Sequence, residues 1–347
     1  MKRSEPLDGL RGLAVLLVLL SHASNAGHDL VPGLDGRGVG RAGVFLFFVL
    51  SSFLLTSQVL GRLDAGRPVG WGRFAGRRLL RILPAYALCM GVHVALGAFE
   101  PKVALQHLAL VRSEAHFWTI PVEVLFYVSL PPIALGLSRL RGTGPRLLAV
   151  AALAVILREL FPPDFPAKAP DYRPNVAPFL PIFLVGSGLA VAAPSLRAAG
   201  GRARWTLAVA GPVASALLVA MVPGVYERIV GHGVTHTRFH LRFDEFAILW
   251  VVVIAACALP ARGWMRAAVS VWPLRALGWV SYSAYLFHAM VLVYADAWLV
   301  GRVPSWLVGP LFFVGAVAAG AASYLLVERP FMELLRSRGD ATDPAAA

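Results

Sequence analysis

Charge is scarce in this chain: Asp, Glu, Lys and Arg together make up 15% of its 347 residues, against 58% hydrophobic residues. So few charges leave no room for a sizeable soluble domain. Cysteine is scarcer still, with Cys89 and Cys257 alone. Both lie in apolar stretches, form no C-x-x-C motif and imply no disulfide framework, so they read as small core residues. No A-x-A cleavage site follows the first apolar run, which Arg11 interrupts. That run therefore reads as a retained first helix, not a signal peptide. Repeated halves of the kind common in secondary transporters are also missing.

Apolar helices are what the sequence does have. A mean hydropathy of +0.68 is the profile of an all-α integral membrane protein, a bundle of about ten transmembrane helices. The candidate spans are roughly 9–27, 42–60, 80–98, 116–138, 146–161, 177–194, 205–222, 245–260, 277–299 and 307–327. Residues 1–338 form one membrane domain, and 339–347 read as a disordered tail. The net charge of +13 is unevenly placed. One alternating set of loops holds 21 of the 32 Lys and Arg and 7 of the 19 acidic residues. The positive-inside rule puts that set, with both termini, in the cytoplasm. Positive charge spent on topology argues against nucleic acid as a partner. The expected setting is the bacterial inner membrane, multi-pass, with the lipid bilayer itself as a partner.

Two ionisable residues stand inside the first span. Arg11 and His22 are eleven positions apart, which on a helix is about three turns and about 16 Å, so they share a face. Titratable groups within a span usually line a cavity or pathway. The bland alternative is that Arg11 snorkels to the headgroups and His22 lies at the far interface. His288 sits eleven residues into the span that starts at Leu277, and Glu123 about seven residues into the span that starts near His116. His22, His288 and Glu123 thus reach similar depth and are expected to converge on one polar cavity; a cluster that merely locks packing is the other reading.

Several segments carry a resemblance. They are Leu7-Asp8-Gly9-Leu10-Arg11-Gly12 with the Arg-x10-His spacing, the run Phe47–Leu55, and Arg77-Arg78-Leu79-Leu80-Arg81-Ile82-Leu83-Pro84-Ala85-Tyr86. Further along come Trp118–Tyr127 around Glu123, Ser281–His288, and Val327-Glu328-Arg329-Pro330-Phe331. In this order they resemble the acyltransferase-3 family of membrane-integral O-acyltransferases. One departure is Ser52, where the family commonly has glycine, a change expected to loosen helix packing. The resemblance implies transfer of an acyl group, usually acetyl, from acyl-CoA to a hydroxyl. Acceptors it implies are a surface carbohydrate or its lipid-linked precursor, or a secondary metabolite such as a macrolide. No appended hydrolase-like domain is present, so the membrane unit is expected to act alone or with a partner.

The chemistry then has named candidates. Acyl transfer needs a base for the hydroxyl proton and a group that stabilises the oxyanion. His22 is expected to be that base, oriented by Glu123, or to carry the acyl group covalently. Arg11 and His288 join them as candidate catalytic residues. Trp118 and Tyr285 are candidate acceptor contacts. Arg78 and Arg81, with Arg77, would hold the phosphates of acyl-CoA, since a guanidinium fork suits phosphate; plain positive-inside charge is the alternative. His232, His236 and His240 have a metal-like spacing, but Gly231 and Gly233 argue against a helix there and no HExxH motif occurs, so no metal is expected. Asp244 and Glu245 open a span, where negative charge suits a helix N-terminus. Readings of a different class are a proton-coupled transporter and a silent, sensor-like relative.

Overall fold

The computed structural model describes residues 4–31, 33–163, 173–231 and 241–333. Among the described residues there is no strand. The described residues form thirteen α-helices, in order α1 Glu5–Asn25, α2 Gly40–Asp64, α3 Trp71–Ala95, α4 Pro101–Leu108, α5 Thr119–Arg139, α6 Thr143–Leu160 and α7 Leu180–Ala198. Then come α8 Gly201–Ala220, α9 Pro223–Val230, α10 Phe243–Ala258, α11 Trp264–Val269, α12 Trp272–Leu299 and α13 Ser305–Ser323. A 3-10 turn, Ala115–Trp118, leads into α5, and a π-helical turn, Tyr324–Glu328, extends α13.

Eight of these segments are long and apolar enough to cross a membrane, not ten. The remaining two expected spans are also helical. However, α6 carries Arg146, Arg158 and Glu159, and α10 has only 16 residues. The largest shift from the sequence boundaries is at α3, which begins at Trp71, well before the expected start at 80. Arg77, Arg78 and Arg81 are therefore on the helix itself. The histidine triplet 232–240 and the expected tail 339–347 lie outside the described residues.

Hydrocarbon chains give helices little reason to associate, so close approach depends on small residues. α1 illustrates this. A Cβ at Gly12 would stand 1.9 Å from the carbonyl oxygen of Leu274 on α12, and one at Gly278 would stand 1.9 Å from that of Asp8. α1 thus lies backbone to backbone on α12, with α2 on its other flank. Ser52, the position expected to loosen packing, is fully buried and donates to the Val49 carbonyl at 3.0 Å. Its room comes from Gly186 on α7, where a Cβ would fall 1.9 Å from the Ser52 hydroxyl oxygen. One turn on, Thr56 and Ser187 share a hydroxyl hydrogen bond of 2.9 Å. The substitution is absorbed, because the facing helix gives up the side chain that α2 has gained.

Large apolar side chains also cover the outside: Leu148 is 72% exposed and Val128 68%. A lipid-facing surface has that character. Replacing Gly12 by Ala should force α1 from α12 and lower stability by about 1–3 kcal/mol, the usual penalty of overpacking. Gly91→Ala, where nothing lies within 4 Å, should be neutral. Thermal unfolding in detergent checks the pair.

Candidate functional site

A cavity of about 190 Å³ opens inside the bundle. α2 provides one wall, from Val44 to Gln58. That stretch of fourteen steps is about 21 Å long, most of a hydrocarbon core. Arg11 comes from α1, Arg78, Arg81 and Ile82 from α3, Thr119 and Glu123 from α5, and Ser281, Tyr282 and Tyr285 from α12. The three-residue step from Arg78 to Arg81 turns both guanidinium stems to one side of α3.

These charges are held by short polar contacts. Arg11 donates to Asp8 at 2.9 Å, one turn back on its own helix, and Asp8 also accepts from the Trp279 indole at 3.4 Å. Glu123 accepts from the Tyr127 hydroxyl and, at 3.5 Å, from Ser51. The negative charge of Glu123 acts on both Arg78 and Arg81, and that of Glu328 on Arg81 and Arg11. Glu328 is only 3% exposed and accepts from Ser283 at 3.0 Å. It sits in the π-helical turn, a distortion often found at functional sites, which re-aims one side chain within a helix. The Nε of Arg78 is buried and has no hydrogen-bond partner among the described residues.

Beyond the far wall stand three histidine rings. His22 meets His288 edge to face with centroids 4.6 Å apart, and His116 meets His288 at 4.7 Å. Tyr285 joins them to the cavity: its ring is 5.5 Å from His288 and 5.4 Å from His116, and its hydroxyl donates to the His116 carbonyl at 2.6 Å. Backbone contacts fix two tautomers, because a carbonyl can only accept. His116 Nε2 donates to the Leu286 carbonyl at 3.0 Å, and His288 Nδ1 to that of Tyr285 at 2.6 Å. In their neutral forms, His116 Nδ1 and His288 Nε2 then carry lone pairs. Both atoms are buried without a partner among the described residues.

The expected residues therefore fall into two adjoining groups. Arg11, Arg78, Arg81, Glu123 and Tyr285 line the cavity, whereas His22 and His288 pack against each other behind Tyr285. The contacts of Glu123 are with Tyr127 and Ser51, those of His22 with His288. Arg77 points outward and is exposed, away from the cavity. Trp118 stacks on Phe179 at 4.6 Å and meets Phe48 at 5.9 Å, with the Arg41 guanidinium 5.8 Å from its ring. Asp244 pairs with Arg158 across helices, so a helix-terminus charge is not its whole role. His116, Tyr127 and Glu328 were not singled out as site residues from sequence. Glu328 had a signal in its Val-Glu-Arg-Pro setting; His116 had none beyond being a histidine near the start of a span.

The architecture defines a polytopic helical membrane protein that keeps a cation-rich chamber within its bundle. The model of an acyltransferase domain matches residues 5–325, and the chain belongs to that acyltransferase-3 family. Among its relatives, it is 25% identical over 367 residues to the putative peptidoglycan O-acetyltransferase YrhL of Bacillus subtilis, covering 93% of this chain and 54% of that one. It is 26% identical over 380 residues to nodulation protein 10 of Rhizobium leguminosarum, covering 95% and 94%. Against the peptidoglycan O-acetyltransferase OatA of Listeria monocytogenes the identity is 24% over 324 residues, covering 82% and 49%. The chain thus spans about half the length of the two peptidoglycan O-acetyltransferases and nearly all of the nodulation protein. No solved structure matches it.

The cavity's accessibility can be read with thiol chemistry. Gln58→Cys should be modified by a charged thiol reagent in the folded protein, while Cys89 and Cys257, both 0% exposed, should stay unmodified until the protein is denatured. Intact-mass measurement separates these outcomes.

Proposed function

We propose that the chain is a membrane-bound O-acyltransferase that moves an acyl group, acetyl in the first instance, from acyl-CoA to a hydroxyl of a surface carbohydrate or its lipid-linked precursor. The observation that carries the reading is the row of Arg11, Arg78 and Arg81 in a cavity that runs about 21 Å along α2 toward Glu123. The peptidoglycan O-acetyltransferases among the relatives support a carbohydrate acceptor. On this reading the protein is a multi-pass protein of the bacterial cytoplasmic membrane. Both termini face the cytoplasm, and the α6 and α10 segments complete ten crossings.

Donor phosphates are held by Arg78 and Arg81, whose planar forks suit bidentate contact. The thioester end then extends toward Thr119 and Glu123. The acceptor approaches from the opposite face, where His22 is half-buried. His22 takes the hydroxyl proton, and the oxygen attacks the thioester carbonyl carbon. The C–S bond breaks, and the departing thiolate takes the proton back from the imidazolium. His288, edge to face against His22, limits the ring's rotation so that one nitrogen faces the acceptor.

Two substitutions test the two halves. His22→Ala should cut transfer by about 10²–10⁴-fold, the usual contribution of a positioned base, without altering donor affinity. Arg78→Gln with Arg81→Gln should raise the donor KM by about tenfold or more and leave kcat nearly intact, since the phosphates are far from the reacting atoms. Both are read from acetyl transfer by purified protein, with mass spectrometry of the acceptor. Wild-type rates from the His22 variant would overturn the base assignment; unchanged donor dependence would overturn the phosphate site.

A further inference from the structure

Two grooves meet on the bundle surface where α8 begins. One, of about 330 Å³, is lined by Arg197, Arg204 and Arg262; the other, of about 260 Å³, is mostly apolar, with Leu207, Ala256, Trp264 and Met265. Arg204 and Arg262 line both, so the basic and apolar compartments are continuous. No acidic side chain lines either groove, and the side chains of Arg197, Arg204 and Arg262 have no ion pair or hydrogen bond among the described residues. Two other arginines on the same side are paired: Arg146 forks onto Asp64 at 2.6 and 2.8 Å, and Arg275 pairs with Glu5 at 2.9 Å.

The surroundings match an amphipathic ligand. Trp205, 70% exposed, and Trp264, 63% exposed, both line the apolar groove, as expected of indoles at headgroup level. Below Trp205 the exposed side chains Val209, Val213 and Leu217 repeat at four-residue steps, forming an apolar stripe down the membrane face of α8. A head with negative charge and a tail running along that stripe fits all of these features. A free anion would use the arginines and leave the apolar slot and stripe without a role.

We propose that this junction of α8 with the α10–α11 connection binds the headgroup of an anionic phospholipid from the leaflet on the arginine-rich side. The phosphate lies between Arg204 and Arg262, and an acyl chain runs along α8. The site is separate from the acyltransferase cavity, which shares none of its lining residues.

The test uses full-length protein extracted in mild detergent and exposed to equimolar phosphatidylglycerol and phosphatidylcholine, with bound lipid counted by native mass spectrometry. Wild-type protein should retain phosphatidylglycerol in preference. Arg204→Gln with Arg262→Gln should reduce that preference by about tenfold or more, given roughly 1 kcal/mol per basic residue near an anionic surface. Arg139→Gln with Arg141→Gln, basic residues where α5 passes into α6, should leave it unchanged. Trp205→Ala with Trp264→Ala keeps every charge and should weaken retention of both lipids. Equal retention of the two lipids by wild type, or an unchanged preference in the Arg204/Arg262 variant, would overturn the proposal. So would full displacement by inorganic phosphate, the mark of a simple anion site.

Discussion

Three guanidinium groups enclosed by a membrane bundle are the constraint around which the rest is arranged. An unpaired charge at such depth costs several kcal/mol, which helix packing alone does not readily offset. The neutralising carboxylates come from different parts of the chain. Asp8 pairs with Arg11 on the same helix, while the charges of Glu123 on α5 and of Glu328 in the π-helical turn act on Arg78, Arg81 and Arg11 from a distance. Charge balance therefore ties α1, α3, α5 and the end of α13 to one another. The cavity exists because these side chains hold polar atoms where apolar ones would close the space.

The same arrangement gives the cavity a direction. Cations cluster where α1 and α3 begin and where α2 nears its end. Glu123, Thr119 and Tyr285 lie deeper, and the histidines stand behind them. In the proposed function an elongated anionic donor is drawn in by its charged end and presents its other end to the interior. In a low-dielectric bundle such attraction is stronger than at a wetted surface. The buried Arg78 Nε without a partner leaves a donor to be satisfied by such a ligand.

Stiffness is supplied by close backbone contact. The Gly12 and Gly278 approach seats α1 directly on α12, which brings His22 against His288 and Arg11 near the α12 residues of the cavity. Two histidines are further locked by donating to backbone carbonyls, so their tautomers are set by the main chain of α12. In the proposed mechanism His22 takes up and returns a proton on each turnover, and it benefits from neighbours that cannot exchange roles.

Much of this was legible along the chain. Hydropathy located a helix at every expected span, and the eleven-residue step from Arg11 to His22 fixed their shared face, because an α-helix has one pitch. Arg78 and Arg81 were paired by the same logic. What periodicity could not supply is which helix faces which. Glu123 stands with the arginines and Tyr127, not against His22, because that depends on how α5 is turned in the bundle. His116 gained significance only when a 3-10 turn brought it to His288, and Glu328 only when a π-turn aimed it inward. Ser52 read as a looser packing position until Gly186 was found opposite it. The sequence by itself determined the helices and which ionisable side chains share a helix face, since both follow from local pitch and polarity. Only the tertiary structure decided the partners, because backbone approach and charge neutralisation act between residues far apart in the chain.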